Sequence, residues 1–588
     1  MQPSAAHTAR IALIALALAA LACSLPFGGA PTGGTTPTQP PPTDGPPASD
    51  ATTAPDEPWA PPEHRIQIRM GAQGAEFYDT QTGQPFIPRG ANYAFAAPGG
   101  TGNNRVFQVG VYDHATFDAD MARLASYGYN AVRMFTDTCP SGPSCIGDHD
   151  GTGLNPQYMD NIADALAVAA EHGIYLQLTS NDLPDQGGYW PTVERCVNDQ
   201  FAGYRNAHML TSCGHDATER YWRDFMQALV DRRARFDAVL GWQLLNEQWL
   251  FSEQPPLSLT GGSVTTADGQ TYDLSDPEQR RRMVYENVRL YIARMRAVIR
   301  EYDPTAPVTM GFFAPRFPNP TETGGTWYVD TAPLIEDSAL DYFDFHGYPG
   351  GDIDMPGLAE NFGMLGYTAK PVLLGEYGAF TFIYPDLTAA ARALTGWAAQ
   401  ACALGFDGYL HWTYYPGGAV VGDGTWGFTD ADGYLMDLFA PVNQPDMCEP
   451  VPVRSANLAY GQPVTASRAL PAEPPENAVD ETGSTQWGAG EGPVQWIEVA
   501  LAEPSTVAEV RLLVAQYPAG DTAHRVELKG AGGAVLASRD LSGSTQDGDW
   551  LVAAFDPPLE AVTAVRVTTL SSPSWVAWRE VQVFSAPQ

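Results

Sequence analysis

Along most of its length the chain alternates short unbroken apolar runs with longer stretches in which apolar residues recur every three or four positions. The apolar runs are PFIPRGANY (85–93), NAVRMF (130–135), IYLQLTS (174–180), VLGWQLLNE (239–247), PVTMGFF (307–313), YFDFHGYP (342–349), PVLLGEYG (371–378) and GYLHWTYY (408–415). Runs of this length, apolar on both faces, read as buried parallel strands. Between them, Phe117, Met121 and Leu124 mark one stripe of a helix over 115–127. Ile162, Leu166 and Ala169–Ala170 mark another over 159–172, which stops at Gly173, and 221–236 and 278–302 repeat the pattern. Eight strands alternating with helices predict the α/β class and a (β/α)8 TIM barrel over 63–448. A doubly wound open sheet is the alternative, but the glycine-rich turn of dinucleotide-binding sheets does not follow the first strand. From 456 to 588 the period falls to two, in WIEVAL, EVRLLVAQY, HRVELKG, AVLASRDL, WLVAAF, AVRVTTL and EVQVF. Turn residues separate these runs, which predicts an all-β sandwich after a proline-containing linker at 449–455.

The N-terminus follows neither pattern. Arg10, the apolar run Ile11–Ala22 and Cys23 read as an export signal, too short to span a bilayer. Small residues before the cysteine predict a lipoprotein signal over 1–23, with Cys23 lipidated and the membrane reached through that anchor alone. Ordinary secretion is the alternative, and either route places the protein outside the cytoplasm. Residues 24–62 are rich in Pro, Thr and Gly, with Trp59 the one large apolar side chain after Phe27, and read as a disordered tether.

Composition narrows the partners. A net charge of −36 with only two lysines, Lys370 and Lys529, excludes nucleic acid and anionic polymers as ligands. Neutral polysaccharide remains compatible. Beyond Cys23, six cysteines fall into Cys139 with Cys145, Cys196 with Cys213, and Cys402 with Cys448. No CxxC spacing favours zinc, and an exported chain meets an oxidising compartment, so disulfides are expected. A monomer is expected.

Chemistry gathers where the strands end. Strand one leaves Asn92 and Tyr93, strand two Arg133, strand three Asn181 and Asp182, and strand four Asn246 and Glu247 followed by Trp249. Strand six leaves His346 and Tyr348, strand seven Glu376 and strand eight Trp412. This is the barrel end where active sites are assembled. Two strands that each deliver one glutamate to a common rim have the layout of glycoside cleavage. Lys370 precedes strand seven and lies at the wrong end for a Schiff base. The first strand lacks the histidines of a metal-dependent amidohydrolase. No cofactor or metal is required for catalysis.

On Asn246-Glu247 after strand four, Glu376 on strand seven, and Arg133, His346, Tyr348 and Trp412 in that order, residues 75–440 resemble the glycoside hydrolases of clan A. The resemblance is greatest to family 5, the cellulase and β-mannanase family. It implies that Glu247 is the acid/base and Glu376 the nucleophile, with Arg133, Asn246, His346, Tyr348 and Trp412 in supporting positions. Asn92, Asn181 and Trp249 are counted with them as substrate contacts. Many members carry a histidine near the end of strand three, where this chain has Thr179-Ser180-Asn181-Asp182. The following DQGGYW (185–190) resembles the mannanase branch. The implied activity is a retaining endo-β-glycanase on β-1,4-linked polysaccharide, β-mannan or β-glucan. An exo-acting glycosidase or transglycosidase, and a catalytically silent surface carbohydrate-binding protein, are the alternatives.

The residues make chemical sense in these roles. Retention needs carboxyl groups about 5–5.5 Å apart. Glu376 must stay ionised, with Arg133 and Tyr348 as its donors, while desolvation beside Trp249 and the charge of Glu376 would keep Glu247 protonated. Asn246 would hold the sugar 2-hydroxyl, and Trp412 would offer a stacking face. Tyr189, Trp190, Trp249, Phe251, Trp327, Tyr328, Tyr414 and Tyr415 are further expected platforms, and the insert 250–274 is expected to wall the cleft.

At the C-terminus, NLAYGQPVTAS, NAVDETGSTQW and the closing REVQVF resemble the factor V/VIII type C (discoidin-like) fold. In bacterial glycosidases that fold serves as a family 32 carbohydrate-binding module. The resemblance implies sugar contacts from exposed Tyr517, Trp575 and Trp578, core positions for Trp487 and Trp496, and a structural calcium.

Overall fold

The computed structural model describes residues 59–586 apart from 99–102, 138, 140, 314–320, 324–326, 351–352, 417–423, 452 and 454–455. The expected signal, Cys23 and nearly all of the tether lie outside the described residues.

Eight strand positions follow in chain order: β1 (Arg89–Asn92), β2 (Ala131–Phe135), β3 (Tyr175–Thr179), β4 (Val239–Gln243), β5 (Val308–Thr309 and Gly311–Phe312), β6 (Phe343–His346), β7 (Val372–Tyr377) and β8 (Tyr409–His411). All pair in parallel. The two pieces of β5 stand at opposite ends of the sheet order, one beside β4 and the other beside β6. A sheet whose two edges are halves of one segment has closed on itself, consistent with the expected (β/α)8 barrel. Each strand is buried along its length, which explains its largely apolar reading.

The main helices are α1 (His114–Ser126), α2 (Pro156–His172), α3 (Ser212–Asp231), α4 (Pro277–Tyr302) and α5 (Leu387–Ala403). Asp113, Asn155, Thr211, Asp276 and Asp386 cap their first turns through side-chain oxygens. α3 starts at Ser212, well before the expected 221, because Thr211 supplies the cap and its first turn buries Gly214.

A hairpin that the strand pattern did not predict, Ile66–Met70 with Ala75–Asp79, precedes the barrel. Its Ile66 and Phe77 pack on Ala131, Tyr175, Leu240, Tyr342, Leu373 and Leu410, at the starts of the strands. It therefore plugs the end opposite the rim where the strands finish.

The C-terminal domain is an antiparallel seven-stranded arrangement. The runs WIEVAL and EVRLLVAQY prove to be one strand, Gln495–Val514, and WLVAAF and AVRVTTL another, Trp550–Ser571. Their mutual pairing is interrupted by register shifts between Ala500 and Glu509. Each long strand thus bends from one set of partners to another around a core of Trp487, Ile497, Val510, Val567, Trp578 and neighbours. This is consistent with the expected sandwich.

All three expected disulfides form, with Cα–Cα distances of 5.2 Å for Cys139–Cys145, 5.9 Å for Cys196–Cys213 and 5.3 Å for Cys402–Cys448.

Candidate active site

Glu247 lies four residues past β4, yet its backbone is still held against β5. Gly311 N–H donates to the Leu245 carbonyl and Gln248 N–H to the Gly311 carbonyl, both at 2.9 Å. That approach requires glycine, since a Cβ at Gly311 would lie 1.7 Å from the Asn246 carbonyl oxygen. Glu376 belongs to β7 itself and pairs with His346 of β6.

The two glutamates face one another across His346. Its Nδ1 stands 3.0 Å from Glu247 Oε1 and 3.5 Å from Glu376 Oε1. One coordinating atom from each of the three lies within 4.8 Å of the others. Arg133 Nη1 donates to Glu376 Oε1 at 2.6 Å and the Tyr348 hydroxyl to Oε2 at 2.7 Å. A guanidinium so placed already supplies the positive charge that a pair of carboxylates calls for.

Arg133 is the hub of the buried layer below. Its Nε donates to Gln243 Oε1 and its Nη1 to Asn92 Oδ1, both at 2.8 Å, and its Nη2 donates to Asn246 Oδ1. The last bond orients the Asn246 amide with its NH2 as the group left to donate. Gln177 and Gln243 both donate to Asp344 Oδ2, and Tyr342 donates to Gln177 at 2.6 Å. These three polar residues interrupt otherwise apolar strands (YLQLT, VLGWQ, FDFH), a mark of an inward-facing polar layer that is legible in the sequence.

Burial pushes the Glu247 carboxyl up to about 7, against the opposing pull of Arg133 and Arg205. Desolvation alone accounts for the rise; the expected share from Glu376 is not among its causes. Burial also drives His346 down, which leaves its imidazole neutral.

Arg205 was missed. It comes from the short helix Tyr204–Leu210, which lies within the loop that Cys196–Cys213 closes onto the first turn of α3. Its Nη1 donates to the Glu247 carbonyl at 2.6 Å, its Nη2 pairs with Asp182 at 3.3 Å, and its guanidinium lies 4.3 Å from the centre of the Trp249 ring. The insert after β4 buttresses that helix. Asn206 exchanges hydrogen bonds with the Phe251 backbone, and Ala267 N–H donates to Leu210.

Several expected substrate contacts are corrected. Asn92 is wholly buried, with its amide given to the Gly375 and Leu410 carbonyls, so it supports Arg133 from beneath. Trp249 is 4 % exposed and packs on Arg205 and Trp327, so it is scaffold. Trp412, also 4 % exposed, meets Phe135 edge-on and lies beside Tyr348, the donor to Glu376. Tyr189 and Tyr414 are buried, the latter donating with Tyr93 and Tyr415 to Asp120. Asn181 is half-buried at the rim, its N–H given to Asp137. In the C-terminal domain Trp578 is a core residue against His524, and Trp496 is half-buried beneath Arg566. Tyr517 and Trp575 are exposed, as expected.

The calcium that the resemblance implies has a fitting oxygen set. Glu580 is wholly buried and its Oε2 has no hydrogen-bond partner among the described residues. Asp480 stands beside it, and Thr485 donates to Asp480 Oδ2 at 2.7 Å. The Asn477 and Thr482 carbonyls lie within 3.4 Å of the Thr485 hydroxyl. An all-oxygen group of this kind suits a hard cation.

Residues 463–581 match the F5/8 type C domain family. No curated protein matches the chain. Among solved structures, a chitosan-binding module of a Paenibacillus sp. IK-5 chitosanase/glucanase is 25% identical and covers 22% of this chain and 98% of its own, with a TM-score of 0.19. A Streptococcus pneumoniae fucose-binding module is 20% identical, covering 22% and 95%, with a TM-score of 0.19. The exo-β-1,4-mannosidase Op5Man5 from Opitutaceae bacterium strain TAV5 is 20% identical, covering 65% of this chain and 63% of its own, with a TM-score of 0.42.

Proposed function

We propose that this chain, with an F5/8 type C domain at its C-terminal end, is an exported retaining endo-β-glycanase acting on β-1,4-linked polysaccharide such as β-mannan or β-glucan. The observation that carries this reading is the pair Glu247 and Glu376, with oxygens within 4.8 Å of one another. That spacing fits double displacement; inversion needs about 6.5–9.5 Å to admit a water between the carboxyls.

In the first step a Glu376 oxygen attacks C1 of the sugar while Glu247 gives its proton to the glycosidic oxygen, and the leaving chain departs as an alcohol. Arg133 and Tyr348 hold the attacking carboxylate at both oxygens and release charge as the ester forms. In the second step Glu247, now ionised, takes a proton from water. The resulting hydroxide attacks C1 and frees Glu376. Asn246, oriented by Arg133, offers its NH2 to the 2-hydroxyl. Neutral His346 spaces the two glutamates. Three disulfides and the carbohydrate-module family match support a place outside the cytoplasm.

The test is a panel of mannan, glucomannan, carboxymethylcellulose, xyloglucan and xylan with wild type, Glu247→Ala and Glu376→Ala. Azide and an activated aryl glycoside follow for each variant. Reducing ends released by wild type alone, with an α-glycosyl azide from Glu376→Ala and a β-glycosyl azide from Glu247→Ala, are expected. Release of single sugars from chain ends would replace the endo reading with the exo one. No cleavage of any substrate would leave a carbohydrate-binding protein.

A further inference from the structure

The loop that carries the calcium-type oxygens is also the loop on which the C-terminal domain meets the barrel. Gly483 N–H donates to the Ile383 carbonyl at 2.6 Å, and the Thr482 hydroxyl reaches the same oxygen at 3.4 Å. Glu481, buried, forms an ion pair with Arg392 of α5, whose guanidinium also lies 3.8 Å from the centre of the Tyr460 ring. Gln582 donates to Asp386, the cap of α5, at 3.0 Å. The barrel's side of this joint is therefore the segment 379–386, which directly follows β7.

Charge at the joint is unbalanced. Asp386, Asp480, Glu481 and Glu580 converge on it. Arg392 answers Glu481, while Arg579 is spent on Asp547 and the Gly483 carbonyl. Among the described residues no basic side chain forms an ion pair with half-buried Asp480 or buried Glu580, and a bound hard cation would complete this oxygen set. Thr482 N–H donates to both, at 3.0 Å and 3.2 Å, so the backbone of the docking loop is tied to the same two carboxylates.

The segment 379–386 also reaches the catalytic rim. Phe380 packs on Tyr348 at 5.1 Å between ring centres, and Tyr348 donates to Glu376 at 2.7 Å.

We propose that a hard divalent cation of the calcium type, held by Asp480, Thr485 and Glu580, locks the loop 480–485 onto the barrel segment 379–386, so that ion binding in the C-terminal domain braces Tyr348 at the catalytic rim. The step from Tyr348 to catalysis rests on Glu376 as nucleophile. The coupling of ion to barrel does not.

The experiment is hydrogen–deuterium exchange on the full chain, stripped with EGTA and then supplied with CaCl2, read on peptides covering 480–485 and 379–386. With calcium near 100 times its Kd, both segments are expected to open about a hundredfold less often. Glu580→Gln and Asp480→Asn are each expected to abolish the effect in both segments. Arg392→Ala is expected to keep it at 480–485 and lose it at 379–386. Protection confined to 480–485 in wild type, or none at all, would overturn the proposal. Because no arm reads cleavage, a failed glycosidase assignment and a failed coupling give different results. On an enzyme that cleaves aryl glycosides, EGTA is further expected to lower kcat in wild type and to leave Arg392→Ala unaffected.

Discussion

In the proposed mechanism Glu247 carries both the chemistry and its pH dependence. As the acid it would hold a proton at the start of the reaction, and burial sets that proton's loss near 7. kcat/KM is therefore expected to fall as pH rises through about 7, measured on an aryl glycoside whose own ionisation lies elsewhere. Arg205 acts on the same proton from behind, since its positive charge favours the ionised form. Arg205→Met is expected to move that descending limb to higher pH and to lower kcat about tenfold with little change in KM. Arg205→Lys should restore part of both. A purely structural role would leave the limb in place.

Among the strands, the decisive feature is a backbone contact. β5 can press against the carbonyl of Asn246 only because residue 311 has no side chain. Gly311→Ala is expected to cost about 1–3 kcal/mol of stability by denaturant titration and to depress kcat more than KM, as Asn246 and Glu247 are pushed out of register. The helix Tyr204–Leu210 has a similar dependence on the disulfide that closes the loop around it. A disulfide closing a loop of this length contributes about 3 kcal/mol in the chain-entropy account, so reduction of Cys196–Cys213 should loosen Arg205 first. These elements also show where sequence reading falls short. A strand announces itself by its apolar run, and Gln177, Gln243 and Asp344 are hidden inside such runs. Their inward direction depends on barrel closure, although a polar residue in a strand buried on both faces was itself the clue.

For the whole molecule, the C-terminal domain joins a barrel to a surface with two exposed aromatics, Tyr517 at 84 % and Trp575 at 59 %. Trp575→Ala and Tyr517→Ala are each expected to weaken retention on insoluble polysaccharide about tenfold to a hundredfold, by pull-down, with cleavage of small aryl glycosides unchanged. Trp578→Ala is a different experiment. It removes a core side chain and is expected to cost about 3–5 kcal/mol in the domain's own unfolding transition.

The sequence by itself determined the eight strands, most of the helices and the two glutamates at strand ends, and it suggested the cysteine pairs that the structure then forms. Each is written in local periodicity, in spacing, or in a polar residue at the end of an apolar run. Only the tertiary structure decided which aromatics are exposed and which are buried, because Tyr517, Trp575, Tyr414 and Trp578 look alike in the chain. It alone brought Arg205 under Glu247 and Arg392 against Glu481, pairs far apart in the chain that no period records. It also set the Glu247 proton near 7, since desolvation is a property of everything packed around a carboxyl and of no residue in particular.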